Sequence, residues 1–227
     1  MKKLGLVGGI SWVSTIDYYR YINEGIHEKA GGLNYAECII YSLNYGDIHA
    51  IGWTNSFDLL LDACKNLQKS GADAIVLCAN TAHQFAEELE KKIELPIIHI
   101  VSTTAAAVNK QGLKKIGLLG TKFTMEMEFF KTGLKDRGIE AVIPEREEIR
   151  NFIQHTLKEE LGAGIIKEET KKAYISIINE LIAAGAEGII LGCTEIPMII
   201  NQQDVSVPVF DTTKIHSQAA VKFALSN

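Results

Sequence analysis

Four things are scarce or missing in these 227 residues, and each removes a class of function. Positive charge is not in surplus: 23 Lys and Arg face 28 Asp and Glu, a formal net charge of -5. The basic patch by which proteins usually hold nucleic acid is therefore not expected, and an anionic substrate has to be met by local donors. Long apolar runs are absent; none approaches the roughly 20 residues that span a bilayer, so no membrane partner is expected. The opening Met1-Lys2-Lys3 and Leu4 to Val7 resembles the start of a secretory signal, but Gly8 and Gly9 cut it short and it reads as a first strand. Cysteines number only four, and no Cys-x-x-Cys pair occurs among them. His83 and His99 form no recognised ligand spacing with the thiols, so no metal is expected. The expected location is the cytoplasm, where those thiols stay reduced. Phosphate-binding glycine patterns are missing too. Gly5-x-x-Gly8-Gly9 has neither the dinucleotide order nor that of a Walker loop. What remains, 47% apolar and 22% charged, is the composition of an ordinary globular chain with ample length for a core.

The second half of the chain echoes the first. Lys2-Lys3-Leu4-Gly5-Leu6-Val7-Gly8-Gly9 returns 112 residues later as Lys114-Lys115-Ile116-Gly117-Leu118-Leu119-Gly120-Thr121. Gly71-Ala72-Asp73-Ala74-Ile75-Val76-Leu77 returns after 114 residues as Gly185-Ala186-Glu187-Gly188-Ile189-Ile190-Leu191, and Leu95-Pro96-Ile97-Ile98 after 112 as Val207-Pro208-Val209-Phe210. Each half alternates short β-branched runs with longer amphipathic stretches, the pattern of βαβ units and a parallel sheet. Strands are expected near 3–8, 36–42, 73–78, 97–100, 115–119, 140–143, 187–191 and 208–210. Helices are expected over 11–30, 54–70, 80–92, 101–110, 124–137, 145–161, 167–184 and 212–225. The fold class is thus α/β: two pseudosymmetric lobes, each a mostly parallel sheet flanked by helices. One covers residues 1–110 plus a returning C-terminal helix at 211–227, the other 113–210. Ligands of open parallel sheets bind beyond the carboxyl ends of the strands, so the active site is expected in the cleft between the lobes.

Two of the four thiols stand at matching strand ends. Leu77-Cys78-Ala79-Asn80-Thr81 closes one echoing strand, and Leu191-Gly192-Cys193-Thr194-Glu195 closes its counterpart. A thiol between a strand end and a helix N-terminus lies where amides and the helix dipole favour thiolate, lowering its pKa from about 8.5 and making a usable base. Space-filling is the competing reading for a single cysteine, but a matched pair points to chemistry. Cys38 and Cys64 have no such setting and are assigned to packing. Gly8 to Thr15, between a strand and a helix, can cradle a carboxylate on its amides; a tight turn is the plainer reading. Asn80, Thr81 and Thr194 flank the thiols, and Gly120-Thr121 repeats the cradle. Capping is their alternative role, and the two are compatible. Glu195 can orient a group or influence Cys193, though an acidic residue also suits a first helical turn. Lys167 follows Gly162-Ala163-Gly164, a segment flexible enough to cover a cleft.

Taken together, these residues resemble the aspartate/glutamate racemase superfamily, and in particular its aspartate racemase branch. The resemblance rests on Gly8-Gly9-Ile10-Ser11-Trp12 with Ser14-Thr15 and Tyr18-Tyr19, on Cys78-Ala79-Asn80-Thr81-Ala82-His83, on Gly120-Thr121-Lys122-Phe123-Thr124-Met125 and on Gly192-Cys193-Thr194-Glu195-Ile196. It runs nearly end to end. It implies racemisation of an acidic amino acid, aspartate or glutamate, without pyridoxal phosphate, any other cofactor or metal. Cys78 and Cys193 would be the two bases, one removing the α-proton and the other protonating the opposite face. Ser11, Asn80, Thr81, Thr121 and Thr194 would hold the groups common to amino acids, Lys167 is similar to the family lysine that meets the side-chain carboxylate, and a homodimer is implied. The chain departs from the pattern in one place. Many members carry an arginine or glutamine in the loop after the second strand, whereas Asn44 to Ser56 contains neither; Asp47, His49, Trp53 and Asn55 are candidates to reshape that pocket. A racemase for neutral amino acids, a related isomerase or decarboxylase, and a non-catalytic amino-acid-binding protein are the alternatives. The last needs neither Cys78 nor Cys193.

Overall fold

Both halves build a parallel sheet in which Leu4–Gly8 and Ala74–Leu77 of one and Gly188–Gly192 of the other are apolar and buried at every position, as strands covered on both faces require. The computed structural model describes residues 1–226. In chain order the elements are β1 (Leu4–Gly8), α1 (Trp12–Ala30), β2 (Cys38–Ser42), α2 (Tyr45–Ile51), α3 (Phe57–Lys69), β3 (Ala74–Leu77), α4 (Ala86–Ile93) and α5 (Ile100–Lys110). There follow β4 (Lys115–Gly120), α6 (Lys122–Glu126), α7 (Glu128–Lys135), β5 (Glu140–Val142), α8 (Glu147–Glu159), α9 (Glu168–Ala183), β6 (Gly188–Gly192), β7 (Val209–Asp211) and α10 (Thr212–Ala224). Two compact units divide at Thr103 and Thr212: the first holds Met1–Thr103 and the chain from Thr213 on, the second Thr104–Thr212.

The first sheet has the order β2-β1-β3 and the second β5-β4-β6-β7, all strands parallel. Alternation along β1 and β3 sorts their side chains between two cores. Val7, Ile75 and Leu77 pack with Leu60, Ala63, Cys64 and Leu67 of α3 and Ala86, Leu89 and Ile93 of α4. Leu4, Leu6, Val76 and Cys78 face the other way, toward Tyr18, Ile22 and Ile26 of α1 and Ala220, Val221 and Ala224 of α10. The four-residue spacing of Tyr18, Ile22 and Ile26 places them on one helical face. In the second unit Leu119, Ile189 and Leu191 pack with Ile153 and Leu157 of α8 and with Tyr174, Ile178 and Leu181 of α9.

The sequence echo is reproduced bond for bond. Asp73 accepts from the Lys3 amide and Glu187 from those of Lys114 and Lys115. Pro96 O accepts from Ile75 N and Pro208 O from Ile189 N, both at 2.9 Å. Conserving both carboxylate and proline in each half therefore fixes strand register at the same two rungs.

Four expectations need correction. The strand at 97–100 shrinks to a single bridge, Ile97 with Ile75. His216 takes the Ile98 carbonyl, and His99 Nδ1 accepts the Val101 amide, turning the chain into α5. The segment 44–56 is not a loop throughout but holds α2, started by Asn44, whose side chain accepts from Gly46 N. The helix over 80–92 begins with a 3-10 turn, Thr81–Phe85, before α4. The helix over 124–137 breaks at Met127, whose backbone is extended between α6 and α7. Among the described residues no helix is long and apolar enough to cross a membrane.

Candidate active site

In the first unit the chain leaves β1 through Gly8 and Gly9 and enters α1 at Ser11. Gly9 has φ +79, and a Cβ there would lie 2.0 Å from Leu43 O, so only glycine fits. Its amide donates to Thr15 Oγ1 at 2.9 Å. Ser11 is a non-glycine residue at φ 142, a conformation of order 1–3 kcal/mol of strain that is found mostly where function holds it. Its hydroxyl accepts from Ser14 N at 3.3 Å. The second unit repeats the device: Thr121 starts α6 and accepts from Thr124 N at 3.2 Å. Ser11 and Thr121 are thus both capping residues, each following the strand that pairs with the thiol-bearing strand of its unit.

Cys78 directly follows β3, its amide donating to Val7 O at 2.9 Å. It is only 1% exposed and belongs to the apolar cluster with α1 and α10. Its sulfur lies 3.7 Å from Val76 O. Asn80 and Thr81 follow, both buried, and Thr81 O accepts from Gln84 Nε2. His83 closes the turn, its Nδ1 paired with Ala79 O at 3.0 Å. Its ring lies 5.1 Å from those of His99 and His216, and Tyr18 OH pairs with His216 Nδ1 at 2.8 Å. Burial holds the His83 imidazole well below its ordinary pKa and lowers that of His216 to about 4. This buried network was not foreseen; Tyr18, His83 and His216 are far apart in sequence.

Cys193 follows β6 and is partly exposed. Its thiol donates to Glu195 Oε2 at 2.8 Å, and the Thr194 hydroxyl donates to the same oxygen at 2.8 Å. Glu195 is thereby aimed at the sulfur. Behind it lies Tyr174, fully buried in α9, whose hydroxyl pairs with Thr156 Oγ1 at 3.0 Å. Burial drives the Tyr174 phenol up, and the nearby Cys193, Glu160 and Glu195 add to the rise. Lys167 donates to Glu160 Oε1 at 2.9 Å, while Thr170 donates to Glu160 Oε2 at 2.6 Å. Tyr174, Thr156, Glu160 and Thr170 were all missed. Only the four-residue spacing of Thr170 and Tyr174 on an expected helix hinted at a shared face.

The expected lowering of the thiol pKa values is overturned. Burial, and secondarily Cys38, pushes Cys78 up; burial, then the Glu195 carboxylate, pushes Cys193 well up. Neither cysteine precedes an α-helix. Each meets a short 3-10 turn, Thr81–Phe85 or Ile196–Met198, with too few aligned peptides to act as a strong dipole. The amides of Thr194 and Glu195 do favour the Cys193 thiolate, but burial outweighs them. Asp47, in the first turn of α2, accepts from Asn44 Nδ2 at 3.1 Å and has a local structural partner. Among the described residues no group of three or more His, Cys, Asp or Glu is arranged to hold a metal ion.

The geometry can be set beside known proteins. A Yersinia pestis structure provisionally described as an Asp/Glu racemase is 45% identical, with each chain covered completely and a TM-score of 0.93. An aspartate racemase homologue from Pyrococcus horikoshii OT3 is 36% identical over all of both chains, with a TM-score of 0.88. The broad specificity amino-acid racemase RacX of Bacillus subtilis (strain 168) is 24% identical over 98% of each chain. The model of the Asp/Glu/hydantoin racemase family matches residues 7–220, both cysteine motifs included, and the chain belongs to that family.

Proposed function

We propose that this protein is a cofactor-independent racemase of acidic amino acids, aspartate or glutamate, in which Cys78 and Cys193 act on opposite faces of the α-carbon. The observation that carries the reading is the repeat: each sheet delivers a thiol at the end of the strand beside its first, β3 next to β1 and β6 next to β4.

The chemistry asks for such a pair. An α-proton is weakly acidic, so its removal needs a close base and stabilisation of the carbanion that forms. A single base returns the proton to the face it came from. Two bases invert the centre: a thiolate on one side takes the α-proton, and the thiol on the other gives up its own. After each turnover the two sulfurs have exchanged protonation states.

Both thiols rest protonated, because burial disfavours their anions. Ionisation therefore needs a positive charge to arrive, and the α-ammonium of an amino acid brings one. Glu195 would take the Cys193 proton, a role supported by the 2.8 Å bond between them. Ser11, Asn80, Thr81, Thr121 and Thr194 would hold the α-carboxylate and α-ammonium, and Lys167 the distal carboxylate. A broader substrate range is the second reading, favoured by the Lys167–Glu160 ion pair and by the full-length likeness to a broad-specificity racemase.

The test is incubation of single enantiomers of aspartate, glutamate and neutral amino acids in deuterated water without added cofactor. Aspartate or glutamate should lose optical rotation while gaining one α-deuterium. Retention of both rotation and α-proton across the panel would overturn the reading.

A further inference from the structure

Lys167 already holds a carboxylate. The segment that leads to it leaves α8 at Glu160 and folds tightly over the helix end: Ile165 N donates to Glu160 O at 2.9 Å, and a Cβ on Gly162 would lie 2.8 Å from Leu157 O. Lys167 then opens α9, its carbonyl accepting from Lys171 N at 3.1 Å. With both ends pinned by backbone bonds, the side chains of Glu160 and Lys167 meet across the base of the segment at 2.9 Å.

The two partners are not held equally. Glu160 is 13% exposed against 44% for Lys167, and its second oxygen is fixed by buried Thr170 at 2.6 Å. The carboxylate is the more firmly anchored partner and the ammonium the more exposed one. One turn beyond Thr170 on α9, the Tyr174 hydroxyl feels the charges of Glu160, Cys193 and Glu195 alike.

A substrate whose distal carboxylate approaches Lys167 must therefore share that cation with a fixed like charge. A neutral distal group pays no such repulsion. We propose that Glu160 is a specificity-determining residue, an internal carboxylate that competes with the substrate's side chain for Lys167 and weakens the preference for acidic over neutral amino acids. The inference rests on the racemase reading and on Lys167 as the distal contact. It predicts that the chain carries more selectivity for acids than it expresses.

The experiment compares racemisation of aspartate and asparagine, which differ only in the charge of the distal group, by the parent, Glu160→Gln and Lys167→Met proteins. Glu160→Gln can still accept from Lys167 through its one carbonyl oxygen and turn its amide to donate to the Thr170 hydroxyl, but removes the charge. It should raise the aspartate-to-asparagine ratio of kcat/KM about three- to fivefold, the size expected of a partly exposed charge pair, mainly through a lower KM for aspartate. Glu160→Asp withdraws the charge by one methylene and should shift the ratio the same way by less, which keeps the test open if the glutamine variant folds poorly. Lys167→Met should collapse the ratio through aspartate alone. An unchanged or lower ratio in the Glu160 variants, with Lys167→Met behaving as stated, overturns the role of Glu160 by itself. An unchanged ratio in Lys167→Met overturns the distal contact and the competition with it, and absence of racemisation from every protein overturns the racemase reading on which both stand.

Discussion

Cys78 and Cys193 follow matching strands in two copies of one design, Cys193 one residue further along, and their surroundings have diverged. Cys78 is sealed at 1% exposure among apolar side chains, with only a main-chain oxygen at 3.7 Å from its sulfur. Cys193 is partly exposed and bonded to a carboxylate at 2.8 Å. Position is what the duplication preserved; the means of managing a proton is what it let vary. Beside Cys193 stands a carboxylate, Glu195. On the Cys78 side a buried histidine network holds the carbonyls of Ala79 and Ile98, fixing the chain after the thiol.

The comparison breaks most severely if either sulfur is dispensable. Cys78→Ser and Cys193→Ser should each reduce racemisation by about a thousandfold or more, since a positioned base contributes roughly 10²–10⁴, while circular dichroism and thermal unfolding stay near those of the parent. Next in size is Glu195→Gln, which leaves a hydrogen-bond partner but no base. A loss of about ten- to a hundredfold in kcat is expected, with little change in KM; an equal effect on Cys78-side exchange would show that Glu195 is not specific to its own lobe.

The histidine network sharpens the contrast through stability. His216 is neutral when folded, with its pKa lowered to about 4, and His83 is depressed as well; in the unfolded chain both titrate near 6.5. Below that value the unfolded state binds more protons, so the stability these residues contribute is full above about pH 6.5 and is lost as pH falls toward 4. Urea denaturation should show little change above about pH 6.5 and a progressive loss of stability as pH falls below it, and His216→Asn should make that loss shallower. The smallest expected effect is on labelling. Iodoacetamide should modify Cys193 several-fold before Cys78 and before Cys64, which burial pushes up to about 12, because the thiolate is the reactive form and exposure decides access.

Much of this was legible in the sequence for a local reason. The repeats at Lys2, Gly71 and Leu95 carry their own hydrogen-bond partners with them, Asp73 and Pro96 in one half and Glu187 and Pro208 in the other, so reading the letters amounts to reading the register. Strand ends, and hence both thiols, followed. What escaped depends on residues distant in sequence. The lost strand at 97–100 is explained by His216 on Ile98, a contact across 118 positions, and no turn residue announces the break at Met127. The thiol pKa expectation failed because sequence indicates a strand end but not how deeply it is covered. Lys167 was singled out, while its partner Glu160 lay unremarked in the helix before it; only folding of the intervening glycines brings the two charges together.

The central claim, that each thiol serves one face of the same carbon, is tested most directly by following α-proton exchange from separate L- and D-enantiomers in deuterated water with the two serine variants. Each variant should exchange one enantiomer much faster than the other, with the preference reversed between Cys78→Ser and Cys193→Ser and inversion nearly abolished in both. Identical preference in the two variants, or inversion at the parental rate in either, would contradict it.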